Sequence, residues 1–533
     1  MKQDMIGEAR RVPQIMCFLK LIAVFAAFGH LHSGAAQKPS TLEDKQFYAK
    51  AKKEELLRAF SVEKNCQVAK NVILFVGDGM GLPIITASRI FKGQQAGKPG
   101  EETYLNFEKF PHLGLMRTYC VDRQVPDSGC TATALLTGVN GLFMTVGLDA
   151  HGKLQDCVRT MRNNQHFPTS IMTHAQRAGK RTGIVTTTRV THATTAAAFA
   201  HTPSRQWESD THIPEPAAAK CSDISRQLIE TEPGRNFNVV LGGGSHNFLP
   251  IASGGSRNDS RNLINEWQQN SAQLGRKSRF VTSRNDLLDA ARNRSTEFLL
   301  GLFHNSHMEF VGDKDAKKSE EPSLGEMTEA AIQILDNKNG FVLLVEGGRI
   351  DHALHNNNAK RAILELLAFE EAIDRALKLT KTQETLIIVA SDHSHVMSVN
   401  GYPKRGNPIL GIAGIQPHYK LPYTTLMFAN GVGYNYALNS THVSWRNVTG
   451  VKTHDIDFRQ QAATFQPEGG ETHGGEDVPA YAIGPWAHLV NGVHDLAYIG
   501  HVTQFAACLG DYSNTCTGNL LDFSTRSRRL KKC

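Results

Sequence analysis

The hydrophobic positions of the chain form short continuous apolar runs that alternate with longer stretches of helical periodicity. Such runs are typical of strands buried on both faces, and they lie at Asn71–Val76, Arg181–Thr187, Asn238–Leu241, Phe341–Val345 and Thr385–Ala390. Because strands that alternate with helices form parallel sheets, the pattern predicts an α/β fold with a largely parallel central sheet flanked by helices. Ligands bind beyond the carboxyl ends of such strands, so the polar residues after each run are candidate site residues.

Two segments depart from this alternation. Residues Thr41–Phe60 are predicted to form a helix, in which Thr41 and Asp44 are spaced as a capping box. Between about 402 and 470 the pattern loosens into Gly, Pro, Asn and Thr. This composition predicts a small surface insertion rather than a part of the sheet core.

The two ends of the chain indicate where the protein acts. Residues 1–36 contain a basic start, an apolar stretch and then small residues, which is the pattern of a secretory signal peptide. The apolar stretch is short for a bilayer span of about 20 residues and contains Lys20, so an uncleaved anchor is the second interpretation. The basic tail at 521–533 lacks the hydrophobic segment of a GPI signal. We therefore expect a secreted, extracellular protein without a lipid anchor.

Composition and cysteine number agree with a secreted protein. The chain is 40% hydrophobic and 20% charged, and its net charge of +7 is concentrated nowhere except at the C-terminus, which gives no support for nucleic-acid binding. Without Cys17, eight of the nine cysteines remain, so disulfides are expected in a secreted chain. Glycosylation sequons begin at Asn258, Asn293, Asn439 and Asn447.

Candidate metal ligands follow several of the apolar runs. Asp351 and His355 are four residues apart and share one face of a predicted helix, so one cation can bind both, although they also fit an ordinary helix start. Asp392 and His393 follow another run, and Asp78 follows the first, where an Asp between glycines is by itself usually a turn residue. Mixed Asp and His ligands suit zinc, whereas carboxylate and hydroxyl ligands suit magnesium.

A candidate nucleophile precedes a predicted helix that begins near Thr131. Ser128 lies at the helix N-terminus, where free backbone N–H groups and the positive end of the dipole favour an alkoxide or a phosphate. The alternative is that Ser128 only caps the helix. Cys130 is a rival nucleophile, but in a secreted protein we expect it to be disulfide-bonded or buried.

Taken together, these motifs resemble the animal alkaline phosphatases. The resemblance rests on the motifs around Asp78, Ser128, Glu346–His352, Asp392–His395 and Glu471–His473, which occur in family order from about residue 70 to 510. It implies hydrolysis of phosphate monoesters to an alcohol and inorganic phosphate through a phosphoserine on Ser128.

The resemblance also implies two zinc ions and one magnesium ion. Their ligands would be Asp351, His355 and His473 for the first zinc, Asp78, Asp392 and His393 for the second zinc, and Asp78, Thr194 and Glu346 for magnesium. Arg205 would bind the phosphoryl group with its planar fork, and Asp127 would orient Arg205. The family's calcium ligands fail to align, because His304 and Glu321 replace other residues, so we expect no calcium cofactor.

Further implications concern architecture and assembly. The resemblance implies disulfides Cys157–Cys221 and Cys508–Cys516, and leaves Cys66, Cys120, Cys130 and Cys533 unassigned. It implies a homodimer with an N-terminal helix arm at 37–65, a catalytic domain at 66–520 that includes a crown-like insertion at about 402–470, and the basic tail at 521–533.

Two other functions remain open at this point. A secreted pseudoenzyme would keep the fold without turnover, but it would usually lack the nucleophile or a ligand, and here all are present. A sulfatase would need a C/S-x-P-x-R motif, which the sequence after Ser128 does not match, and related phosphodiesterases usually use threonine as the nucleophile.

Overall fold

The computed structural model describes residues 43–514, except 162–163, 216, 218–220, 294, 316–317, 419, 436, 440–441, 445 and 467–469. The predicted signal peptide, the basic tail, Thr41, Cys516 and Cys533 lie outside the described residues. The chain divides into two compact units between Val62 and Glu63. In the described part of the chain, no helix is long and apolar enough to cross a bilayer.

The described strands and helices have the following bounds. The strands are β1 Asn71–Gly77, β2 His112–Arg117, β3 Arg181–Arg189, β4 Val239–Gly243, β5 Ser278–Val281, β6 Phe298–Leu302, β7 Phe341–Gly347, β8 Thr385–Ser391, β9 Ser394–His395, β10 Met397–Val399, β11 Ile412–Ile415, β12 Pro422–Thr424, β13 Leu426–Asn430, β14 Ala437–Asn439, β15 His442–Ser444, β16 Ala462–Thr464, β17 His473–Gly474, β18 Val478–Ile483 and β19 Gly492–Asp495. The α-helices are α1 Lys45–Phe60, α2 Leu82–Gln95, α3 Ser128–Thr137, α4 Cys157–Thr160, α5 Ile171–Arg177, α6 Ala193–Ala196, α7 Ile224–Glu230, α8 Leu263–Gln273, α9 Arg284–Arg292, α10 Leu324–Leu335, α11 Arg349–His355, α12 Ala359–Leu379 and α13 Tyr498–Ala506.

The first unit contains α1, which begins at Lys45. The side chain of Asp44 caps this helix by accepting hydrogen bonds from the backbone N–H groups of Gln46 and Phe47, at 2.9 Å each. The predicted helix is confirmed over Lys45–Phe60, but the predicted capping box is wrong, because Asp44 is itself the N-cap.

In the second unit, a ten-stranded sheet has the order β19-β2-β18-β8-β1-β7-β3-β4-β6-β5. Strands β8 to β5 of this order run parallel, whereas β18 is antiparallel to both of its neighbours. The strands predicted from the apolar runs are all confirmed, with ends displaced by one or two residues. The predicted α/β class with a largely parallel sheet is confirmed.

Both faces of the sheet are buried, and strand β1 illustrates why its sequence is apolar throughout. Its side chains alternate between two separate cores, with Leu74 in one and Phe75 in the other. Helices α3, α5 and α13 contribute to the first core, and α2, α10 and α12 to the second. Phe75 packs edge-to-face on Phe369 of α12, with ring centroids 5.8 Å apart. A parallel strand covered by helices on both sides has no polar face, which explains the continuous apolar run.

The described residues of the segment predicted as an insertion contribute no strand to this sheet. Between 402 and 470 they form short strands, of which β11 pairs with β12 and β14 with β15, while β13 pairs with β10 and β16.

The disulfide Cys157–Cys221 is present, as the resemblance implied, and Cys508 is disulfide-bonded. A further disulfide joins Cys120 to Cys130, a pairing that was left unassigned from the sequence.

Candidate active site and metal centre

The carboxyl ends of three neighbouring strands bring buried acidic residues to one edge of the sheet. In the parallel register of β1 with β7 and β8, Val76 pairs with Glu346 and Gly77 with Ser391. Asp78 and Asp392 therefore follow β1 and β8 side by side, and Glu346 lies at the end of β7. The side chains of these three acids are fully buried. A group of buried carboxylates requires compensating positive charge.

Ser128 opens α3 and faces this edge. The helix begins at Ser128 rather than near Thr131, because Asp127 is the N-cap and accepts from the backbone N–H groups of Gly129 at 2.9 Å and Cys130 at 3.4 Å. Ser128 Oγ lies 3.2 Å from Nε2 of His393 and 3.4 Å from Oδ1 of Asp78. Ser128 is therefore not the capping residue. Its hydroxyl is directed at candidate metal ligands.

Cys130 is excluded as a nucleophile by its disulfide with Cys120. The prediction that Cys130 is disulfide-bonded or buried is confirmed, because it is both.

Arg205 lies beside Ser128 and is held by two contacts. Its Nη1 donates to Oδ2 of Asp127 at 3.1 Å, and its Nη2 lies 3.1 Å from Nε2 of His192. Burial lowers the pKa of the guanidinium, but the Asp127 and Asp78 carboxylates raise it further, so the net shift is upward. A fixed guanidinium next to a helix N-terminus is suited to binding a phosphoryl group.

The structure brings Asp351, His355 and His473 together as one set of donors. Oδ1 of Asp351 lies 3.3 Å from Nε2 of His355 and 3.4 Å from Nε2 of His473, and the two imidazole nitrogens are 3.1 Å apart. Zinc–ligand bonds of about 2.0–2.1 Å in a tetrahedral site place ligands about 3.3 Å apart. The separations fit a single zinc ion.

A second set with similar spacing consists of Asp78, Asp392 and His393. Nε2 of His393 lies 3.4 Å from Oδ1 of Asp78 and 3.3 Å from Oδ2 of Asp392. The other oxygen of Asp392 accepts from the backbone N–H of Gly79 at 3.0 Å, which orients the carboxylate. These separations also fit one zinc ion.

A third set is marked by buried oxygen atoms that make no hydrogen bond of ordinary length with the described residues, although the Thr194 hydroxyl lies close enough to Glu346 to lower the pKa of that carboxyl. They are Oδ2 of Asp78, Oγ1 of Thr194 and Oε1 of Glu346. The other oxygen of Glu346 accepts hydrogen bonds from the hydroxyl groups of Thr186 and Thr188, so only Oε1 remains to bind a cation. Unpaired buried oxygens are costly unless a cation binds them, and an all-oxygen donor set is what magnesium prefers.

Burial and mutual repulsion raise the pKa values of the clustered acids. Burial and then the charges of Asp392 and Asp351 raise the pKa of Asp78 well above its usual range. Burial likewise raises the pKa of Asp392 to about 6 and that of Glu346 to about 7. The acids are therefore poorly compensated by protein groups alone, which is the electrostatic condition of a cation site.

Sequence reasoning missed the role of His395 and Glu471, although both stand within the quoted motifs. His395 is buried between two carboxylates, with Nε2 2.7 Å from Oδ1 of Asp351 and Nδ1 2.5 Å from Oε2 of Glu471. Burial lowers the pKa of His395, but Glu471 and Asp351 raise it to about 10 overall. A charged His395 donates from both nitrogens and fixes the orientation of Asp351.

A group of three histidines beside Arg205 was also missed. The His192 ring contacts those of His307 and His352, with centroids 5.3 and 5.4 Å away. Arg349 contacts Nδ1 of His352 at 2.9 Å, and Arg189 contacts His307. His192 and His352 lie next to the motifs for Thr194 and Asp351, but His307 follows β6, and no sequence signal connects it to the site.

The residues that fail to match the family's calcium ligands have other partners. Nζ of Lys314 lies 3.1 Å from Oε2 of Glu321, so this carboxylate has a lysine ammonium as counter-ion.

Comparison with known proteins places these observations in a family. The sequence model described as "Alkaline phosphatase" matches residues 69–509. The alkaline phosphatase of Gadus morhua is 42% identical over 487 residues, which cover 89% of this chain and 99% of that protein. The tissue-nonspecific alkaline phosphatase isozyme of Homo sapiens is 40% identical over 90% of this chain and 91% of its own length. The solved structure of Thermus thermophilus alkaline phosphatase, at 22% identity, covers 83% of this chain and 92% of its own with a TM-score of 0.59, which shows a shared fold.

Proposed function

The chain belongs to the alkaline phosphatase family and is a phosphomonoester hydrolase, and from this premise we propose a reaction through a phosphoserine on Ser128. The observation that carries the proposal is the position of Ser128 Oγ. It lies at the start of α3, 3.2 Å from His393 and 3.4 Å from Asp78, and Arg205 is fixed beside it by Asp127.

Two zinc ions and one magnesium ion complete the proposed site. The first zinc is bound by Asp351, His355 and His473, the second by Asp78, Asp392 and His393, and magnesium by Asp78, Thr194 and Glu346. The donor separations of 3.1–3.4 Å support the zinc assignments. The unpartnered oxygens of Asp78, Thr194 and Glu346 support the magnesium assignment.

The residues of the chain then divide the reaction between them. The bound metal ions supply charge that lowers the pKa of oxygen nucleophiles and neutralises the phosphoryl group. Ser128 Oγ attacks phosphorus as the bond to the ester oxygen breaks, and the alcohol leaves. Arg205 donates hydrogen bonds to the phosphoryl oxygens, and the free N–H groups at the start of α3 add to this stabilisation. Water then cleaves the phosphoserine, which releases inorganic phosphate and restores the Ser128 hydroxyl.

The remaining parts of the proposal concern processing and assembly. We propose that residues 1–36 are removed as a signal peptide and that the mature protein is a secreted glycoprotein. Asn258, Asn293 and Asn447 are exposed, which supports modification at these sequons. The protein is proposed to be a homodimer, with 37–65 as an N-terminal arm and 402–470 as a crown-like insertion in a catalytic domain at 66–520.

The experiment is hydrolysis of an aryl phosphate by the purified protein and by Ser128→Ala, each supplied with zinc and magnesium or treated with a chelator. We expect turnover by the unmodified protein only when metals are present and almost none by Ser128→Ala. Ser283→Ala is the matched control, because Ser283 also stands at the start of a helix but caps α9. Absence of turnover with both metals supplied would favour the pseudoenzyme, and full activity of Ser128→Ala would exclude Ser128 as the nucleophile.

A further inference from the structure

A second group of metal-binding side chains lies outside the site described above, in the loops between α3 and α5. Nδ1 of His151 lies 3.2 Å from Oδ1 of Asp149, and Nδ1 of His166 lies 3.5 Å from Oδ2 of the same carboxylate. The two imidazole rings are stacked, with centroids 4.0 Å apart and planes inclined by 22°. Two ring nitrogens therefore converge on the two oxygens of one carboxylate.

The backbone brings these side chains together. His151 and Asp149 share a turn in which Oδ1 of Asp149 accepts from the backbone N–H of His151 at 2.8 Å. The backbone N–H of Asp149 donates to the carbonyl of His166 at 3.4 Å, which joins two loops that are distant in sequence. Next to His166, Phe167 stacks on His201 with centroids 4.8 Å apart. Two of these contacts join cluster residues to one another, and the Phe167–His201 stack packs the residue that follows His166.

The electrostatic surroundings favour a cation over an ion pair. Within the described ranges, no lysine or arginine nitrogen lies within 4.0 Å of the Asp149 carboxylate, and the nearby Lys153 faces Asp156 instead, at 4.0 Å. Two imidazoles that face one carboxylate without a lysine or arginine counter-ion form a donor set that a divalent cation can bind.

We propose that Asp149, His151 and His166 bind a zinc-class divalent cation in a peripheral site that is separate from the catalytic metals. Two imidazole nitrogens and one carboxylate form a common zinc donor set. The nitrogens lie 3.2 Å from Oδ1 and 3.5 Å from Oδ2 of Asp149, and one donor atom from each of the three residues lies within 4.8 Å of the other two. The three side chains are 25%, 66% and 37% exposed, so water completes the coordination and the ion exchanges with solvent.

The position of this site links it to the loop that carries Arg205. Val146 and Thr202 exchange backbone hydrogen bonds of 2.9–3.0 Å, and the backbone N–H of Gln155 donates to the carbonyl of Pro203 at 2.9 Å. The segment that contains Asp149 and His151 is therefore paired with the chain just before Arg205. A bound ion fastens this segment to the loop at His166.

The test is equilibrium dialysis of the holoenzyme against zinc, with catalytic metals kept saturated and the metal content measured. The unmodified protein is expected to bind one more zinc ion per chain than His151→Gln or His166→Gln, whose affinity for that ion falls at least about tenfold. Asp149→Asn keeps the acceptor that forms the turn and is expected to lose the same ion without loss of folding.

His454→Gln is the matched control, because His454 is exposed and lies in the insertion. Aryl phosphate hydrolysis by each variant establishes that the catalytic metals remain in place. Equal zinc content in the unmodified protein and the three cluster variants would overturn the proposal, as would loss of the additional ion from His454→Gln.

Discussion

Replacement of Arg205 by lysine separates the shape of the guanidinium from its charge. In the structure one terminal nitrogen donates to Asp127 and the other contacts His192, each at 3.1 Å. A lysine ammonium carries the same charge but has no planar fork. We expect the ammonium to be held by the Asp127 carboxylate, so that no second donor is fixed toward the phosphoryl group.

The expected fall in kcat/KM follows from the hydrogen bonds that each variant loses. A hydrogen bond to a charged group contributes about 1.5–3 kcal/mol, and the fork can offer two to a phosphoryl group. For Arg205→Ala the loss of both costs about 3–6 kcal/mol in the transition state, or a fall in kcat/KM of about 150- to 25,000-fold. Arg205→Lys keeps a nearby charge, so we expect a smaller fall of about 10- to 100-fold.

The assay is kcat/KM for an aryl phosphate, together with the inhibition constant of inorganic phosphate, which is expected to rise in both variants. Arg226→Lys is the control, because Arg226 pairs with Glu230 one turn later on the same helix, at 3.3 Å. An Arg205→Lys enzyme whose kcat/KM and phosphate inhibition stay within about threefold of the original would refute the assignment of a bidentate role.

Three further changes test other parts of the account. Thr194→Val removes an unpartnered buried hydroxyl, so the magnesium concentration for half-maximal activity should rise about tenfold at constant zinc content; an unchanged magnesium dependence would contradict the assigned ligand. Burial raises the pKa of Glu365 from 4.5 to about 7. The stability associated with the neutral carboxyl is therefore fully present below pH 4.5 and is lost as the pH rises through 7. In urea unfolding, Glu365→Gln should therefore stabilise the protein by about 1–3 kcal/mol more at pH 8 than at pH 4. An equal effect at pH 4 and pH 8 would count against the raised pKa of Glu365. Replacing Cys120 and Cys130 together by alanine removes a disulfide with a sequence separation of 10. The free energy of unfolding in urea should fall by about 2–3 kcal/mol, and an unchanged value would exclude a stabilising role for this disulfide.

The sequence was sufficient to predict five strands of the ten-stranded sheet and the residues that follow them. A parallel strand that is covered on both faces must be apolar throughout, so the runs that end before Asp78 and Asp392 were visible without a structure. Their meeting at one edge follows from the general position of ligand sites in such sheets. The four-residue spacing of Asp351 and His355 likewise predicted a shared helix face, and both residues lie in α11.

The interactions that depend on strand order or on side-chain direction were beyond the sequence. His307 reaches His192 because β4 and β6 follow β3 in the sheet, and apolar runs do not specify that order. The start of α3 was placed three residues late, because Ser128 was considered as a cap, whereas Asp127 is the N-cap and Ser128 is the first residue of the helix. His395 stands within a quoted motif, but its two carboxylate partners become visible only in three dimensions.

The central claim is that Ser128 carries the phosphoryl group during turnover. The most direct measurement is to quench the metal-saturated enzyme with acid during reaction with a phosphate monoester and to locate the phosphate by mass spectrometry of its peptides. The account predicts a phosphoserine at Ser128 that is absent from Ser128→Ala and from the chelated enzyme. Phosphate on another residue, or turnover without a phosphorylated intermediate, would contradict it.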